Sequence, residues 1–191
     1  AALTEGIRQG YTQAYLRPSM VQDPVFRRVN TNDNTPPIVH TDVVSGDQLK
    51  ITLLPKGAGC ENMGALAYLK PSDGIEGLKA FVISTIVRAG GNPCPPAVIG
   101  IGIGGTGDKA MLLSKKALLR RVGTTHHDPD YERLEKELLK EINATGVGPQ
   151  GLGGSSTAMA VHIETFPTHI ASMPVAVSIN CHAARQATVV L

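Results

Sequence analysis

"CPPAVIGIGIGGTGDKAMLLSKKALLRR", residues 94–121, decides the fold. Its prolines stiffen a loop, and the apolar run 97–103 that follows is short and bounded by turn residues, as in a buried strand. The glycines of "GIGGTGDK" then make a turn, and a helix follows. That turn resembles an anion cradle at a helix N-terminus. Its spacing matches neither the Walker form nor a dinucleotide fingerprint, so close packing of strand on helix is the preferred reading.

Working outward, helices are expected at the N-terminus (Leu3, Ile7, Tyr11 and Tyr15 at spacing four), in "KGAGCENMGALAYLK" (56–70) before Pro71, in "IEGLKAFVISTIVRAGG" (75–91), and over Asp130–Thr145. In the last of these Leu134, Leu138 and Ile142 face inward, and a Glu132/Lys136 pair faces solvent. Strands are expected at "IVHTDVV" (38–44) paired with "QLKITLLP" (48–55), and at "TAMAVHIE" (157–164) and "MPVAVSIN" (173–180). Pro18, Pro24, Pro36 and Pro37 leave a long loop between the first helix and these strands. This predicts an α/β protein, a layered mixed sheet with packed helices, in a single domain over 1–191.

Composition narrows the function classes. With 18 Lys plus Arg against 16 Asp plus Glu, and only scattered basic pairs, there is no nucleic-acid footprint. No apolar run reaches the ~20 residues of a membrane span, and the first residues lack a signal segment, so a cytoplasmic protein is expected. The chain begins at Ala1 without an initiator Met, as a piece of something longer would. The three cysteines at 60, 94 and 181 lie far apart in sequence and lack any zinc-ribbon spacing. Buried thiols, a catalytic thiol and metal ligands all remain open for them.

Two of them stand in pointed contexts. Pro93, Pro95 and Pro96 frame Cys94, as an irregular cluster-ligating loop requires. Cys181, between a strand and an expected helix, would sit where a helix N-terminus favours a thiolate. His162, His169 and His182 crowd the same end of the sequence, and with Cys181 and "GPQGLGGSS" they suggest one loop-built site. His126 and His127 read as solvated. Arg17 in "YLRPSM" is either a carboxylate clamp or an exposed helix-end arginine.

Taken together, "YLRPSM", "DNTPP", "LPKGAGCENM", "NPCPP", "IGIGGTGDKAMLLSKKALLR" and "GPQGLGGSSTAMAVHIETFPTHIASMPVAVSINCHA" resemble the α subunit, or N-terminal part, of class I iron–sulfur fumarate hydratases and their tartrate dehydratase relatives. The resemblance covers essentially the whole chain and implies a [4Fe-4S] cluster on three cysteines, with one iron open to substrate. Cys94 and Cys181 match two of these ligands; the third belongs to a Cys-Gln-Asp-Thr-Gly segment upstream of the helix that begins this chain. Cys60 stands where the family commonly has serine, and is read as lining the pocket. The resemblance further implies that Arg17, the backbone at Gly59 and His169 contact a dicarboxylate substrate, and that the base comes from a β subunit within an oligomer. It predicts reversible hydration of fumarate to malate, with tartrate or another hydroxy-diacid as the alternative substrate. The chain alone is expected to be inactive. The remaining alternative is a non-catalytic scaffold that binds the β subunit without iron.

Overall fold

The computed structural model describes residues 1–191, in two compact units, Ala1–Asp47 and Gln48–Leu191. The first holds helix α1 (Ala2–Gln13) and a long loop. The second contains β1 (Lys50–Leu53), α2 (Ala58–Glu61), β2 (Ala65–Leu69), α3 (Gly74–Ala89), β3 (Ala97–Gly104), α4 (Gly107–Ala117), α5 (Pro129–Ala144), β4 (Ala158–Phe166), β5 (Met173–Asn180) and β6 (Ala187–Val190).

Four strands form one sheet in the order β2-β5-β3-β4. β3 runs parallel to β4 and antiparallel to β5, and β5 is antiparallel to β2, so the sheet is mixed, as expected. The alternation along β3 explains the layers. Ile99 and Ile101, fully buried, join Leu78, Val82 and Ile86 of α3 and Leu134, Leu138 and Ile142 of α5 in the main core. Each such isoleucine contributes roughly 1.5–3 kcal/mol on burial. Gly100 and Gly102 face the other way, against α4. A Cβ on Gly102 would lie 2.0 Å from the Ala110 carbonyl oxygen, and one on Gly100 would lie 2.1 Å from that of Ser114. The glycine run therefore serves close helix packing, as the sequence reading preferred.

Helix α5 begins with Asp128 capping the Asp130 amide at 2.8 Å, and Pro129 fits its first turn. The expected surface pair is present, Lys136 to Glu132 at 2.6 Å. Glu135 is 5% exposed, takes Arg120 at 2.6 Å and accepts the Ile163 amide at 2.7 Å, tying the end of α4 and the body of α5 to β4.

Several expectations fail, each for want of a tertiary partner or because of one. Residues 38–44 form no strand: Ile38 and Val43 are 84% and 97% exposed, and β1 pairs instead with β6. The expected helix over 56–70 is only the single turn α2, because "ALAYL" is claimed as β2 by pairing with β5. After Cys181 comes a turn and then β6, not a helix, so no helix N-terminus acts on that thiol. His126 is buried and stacked on His127 at 4.3 Å, not solvated. No helix is long and apolar enough to cross a membrane.

His162 on β4 is 1% exposed and neither ring nitrogen has a hydrogen-bond partner. Burial, reinforced by Arg120, lowers its pKa below the ordinary value of 6.5. The unfolded chain therefore binds the proton first as pH falls. Stability should be constant above about pH 7 on this account and should decline as pH drops below 6.5 towards the lower folded value. Urea titrations at several pH values should show that decline, and a His162→Gln variant should lose its slope through this window.

Candidate functional site

The structure gathers all three cysteines at one end of the sheet, the end where β3 starts and β5 finishes. Cys94 lies in the turn 91–96 before β3, and Cys181 directly follows β5. The His182 ring Nδ1 meets the Cys94 carbonyl oxygen at 3.0 Å, which fixes the two segments against each other. Cys60 is brought in by α2, and its thiol donates to the Pro93 carbonyl oxygen at 3.5 Å. The short turn before it fits because Gly59 has no side chain: a Cβ there would stand 2.7 Å from the Asn92 carbonyl oxygen.

A second support comes from "GPQG". The Gln150 amide donates to the Pro95 carbonyl oxygen at 2.8 Å, and its side-chain Nε2 reaches the same atom at 3.1 Å. This turn is in turn fixed from α5. The Asn143 side chain accepts the amides of Thr157 and Ala158, and Thr157 Oγ1 accepts the Gly148 amide. These holds matter because Cys94 has φ +54°, a left-handed conformation that costs a non-glycine residue about 1–3 kcal/mol and persists only where its surroundings impose it. The sequence reading grouped His182 and the turn that holds Gln150 with Cys181, but it did not show that they act by gripping the Cys94 loop. Their partners are backbone carbonyls, which leave no trace in residue type.

The three thiols differ. Cys94 is exposed, Cys181 half-buried and Cys60 buried. Burial, with the neighbouring Cys181 thiol adding to it, pushes Cys60 up to about 11, against the opposing pull of Lys56. Lys56 and Lys115 both pair with Glu61, which leaves one net positive charge beside the turn. No set of three or more His, Cys, Asp or Glu side chains in this chain is spaced to hold a metal ion. Cys94 and Cys181, both accessible and placed on adjoining loops, fit as two ligands of a larger group; Cys60 is 4% exposed, with its thiol on the Pro93 carbonyl oxygen.

The expected histidine cluster is not brought together. His182 joins the cysteines, whereas His162 is buried within the sheet. His169 lies beyond the other end of β3, where Thr168 Oγ1 donates to the Gly105 carbonyl oxygen at 3.0 Å. Eight strand residues separate it from Cys94, roughly 25 Å.

In the N-terminal unit the exposed Arg17 follows α1, and its loop is shaped by Asn34, which is 5% exposed. The Asn34 Oδ1 accepts the amides of Ser19 at 2.7 Å and Met20 at 3.2 Å, while its Nδ2 donates to the Arg17 carbonyl oxygen at 3.0 Å. Beside it, the Arg8 guanidinium at 2.7 Å and the Thr35 amide and hydroxyl hold the Asp33 carboxyl down at about 2.

Comparison with known proteins places the whole chain. The family model described as fumarate hydratase (Fumerase) matches residues 1–190. A protein of Methanocaldococcus jannaschii, provisionally named L(+)-tartrate dehydratase subunit alpha, is 50% identical over 189 residues, 97% of this chain and 66% of that protein. The L(+)-tartrate dehydratase subunit alpha of Escherichia coli (strain UTI89 / UPEC) is 39% identical over 97% of this chain and 62% of its own length. That of strain K12 is 37% identical over 99% and 63%. The chain thus spans a little under two thirds of the curated relatives it matches.

Two outcomes follow from this geometry. In metal-free protein at neutral pH, iodoacetamide should label Cys94 first and Cys60 last, at least ~10-fold more slowly, because the thiolate is the reacting form; mass spectrometry of timed aliquots reads the order, and equal rates would contradict the enclosed position of Cys60. Asn34→Ala should release the Ser19 and Met20 amides, raising their hydrogen exchange at least ~10-fold and costing ~1–3 kcal/mol for the unmade bonds.

Proposed function

Because the chain belongs to the fumarate hydratase (Fumerase) family, we propose that it is the α-subunit part of an iron–sulfur hydro-lyase that removes water from a hydroxy-dicarboxylate. The observation that carries this reading is the meeting of Cys94 and Cys181 on two loops locked by the His182 contact. These two thiolates hold a [4Fe-4S] cluster together with a third from outside these 191 residues. When bound, such a cluster supplies Lewis acidity at the one iron that lacks a protein ligand.

The residues of this chain then have separable tasks. Gln150 and His182 fix the Cys94 loop, so that its thiolate needs no reorganisation to bind metal. Gly59 lets the "KGAG" backbone run close beside that loop, where its amides can face a substrate carboxylate. Arg17, in the N-terminal unit on the loop shaped by Asn34, carries a planar guanidinium of the kind that takes a carboxylate, the role the family resemblance implies for it. The base that takes the proton comes from the β subunit. His169 sits too far from the thiols within one chain to share their substrate, so its implied contact requires a second copy of the chain.

The names of the relatives favour L(+)-tartrate over malate as the substrate. The test is anaerobic iron and sulfide reconstitution of the full-length protein with its β subunit, followed by dehydration assays on L(+)-tartrate and L-malate. Cluster uptake of about four irons, with tartrate turned over faster, is the expected result. Cys94→Ser and Cys181→Ser should each lose more than the ~10–100-fold that an outer-shell partner costs. Faster turnover of malate would move the assignment to fumarate hydration, and retained iron in both variants would overturn the ligand assignment.

A further inference from the structure

A cavity of about 180 Å³ opens where β1 ends, α4 ends and β5 gives way to the last turn. Its apolar wall is made by Leu54, Val98, Leu118 and Val122. Of these, Val98 and Leu118 are buried and form a small core of their own with Ala160, against which Leu54 packs. Its polar side is formed by three arginines and two amides: Arg120, Arg121, Arg185, Asn180 and Gln186 line it, and no Asp or Glu does.

The polar groups are not equivalent. Arg120 is already committed, with its two terminal guanidinium nitrogens on Glu135. Arg121 and Arg185 make no ion pair within the chain, so the cavity carries their two uncompensated positive charges. Asn180 is 2% exposed, yet its Nδ2 has no hydrogen-bond partner. A buried donor left unmade costs about 1–3 kcal/mol, and the cysteine that follows it does not relieve that cost. Apolar walls with a few convergent polar groups are the usual make-up of a small-molecule pocket.

We infer that this cavity is a binding site for a small organic carboxylate, with the carboxylate between Arg121 and Arg185, Asn180 Nδ2 donating to it, and the carbon skeleton against Leu54, Val98 and Leu118. Guanidinium forks match a carboxylate in two parallel hydrogen bonds. The apolar wall selects an organic acid over inorganic phosphate, which would leave that surface unused. The inference does not depend on the hydro-lyase reading, since no cluster ligand takes part.

The test is isothermal titration of the full-length protein with butyrate, and separately with inorganic phosphate, at constant ionic strength. A monocarboxylate suits the purpose because a site built for a dicarboxylate substrate holds it poorly. Butyrate should bind at least tenfold more tightly than phosphate. Arg121→Gln/Arg185→Gln, two exposed changes that leave the core intact, should weaken butyrate at least tenfold with an unchanged melting temperature. Asn180→Asp, which keeps the shape but replaces the donor by a negative charge, should abolish binding. Absence of butyrate binding, equal affinity for phosphate, or unchanged affinity in the double variant would each overturn the assignment.

Discussion

The contact on which the second unit depends is one made by absence of side chains, the approach of α4 to the bare backbone of β3 at Gly100 and Gly102. Hydrophobic burial alone would bring a helix to a sheet at many distances. Here the spacing is fixed by carbonyl oxygens that leave no room for a single methyl group, so β3 has one usable face for volume and one for proximity. The isoleucines on the first face then decide where α3 and α5 lie. The order of layers follows from a two-residue alternation in one strand.

That arrangement also sets the position of the thiols. With β3 central and flanked by β4 and β5, the loop before β3 and the segment after β5 must emerge side by side at one end of the sheet. Function collects at such loop clusters because a rigid frame can hold irregular backbone there. The left-handed Cys94 illustrates the point: its conformation is tolerable only with Gln150 and His182 gripping its neighbours.

The elements legible in the sequence were those whose signal is local. Helices α3, α4 and α5 show their apolar period and their punctuation, and β3, β4 and β5 are apolar enough to need burial whatever their partners. The readings that failed depended on partners distant in the chain. "ALAYL" is equally at home in a helix or a strand, and pairing with β5 decides for strand. "IVHTDVV" has the composition of a strand and no ladder to join. Of the site, the cysteines and the glycine turn were visible through motif and resemblance, because their residue types are what the chemistry requires. The clamp on Arg17 by Asn34 and the unpaired amide of Asn180 were not, since any asparagine looks the same until its neighbours are known.

The grip on the Cys94 loop is made entirely on main-chain oxygens, those of Pro93, Cys94 and Pro95, by donors 33, 88 and 55 residues away. The loop's prolines supply rigidity, and the hydrogen bonds that fix Cys94 come from elsewhere in the chain. Such long-range closures form late, after the loop entropy between their ends has been overcome. During synthesis the Cys94 segment leaves the ribosome well before His182 exists, so its thiol spends that interval ungoverned, and acquires its final orientation only once the residues up to His182 have been made.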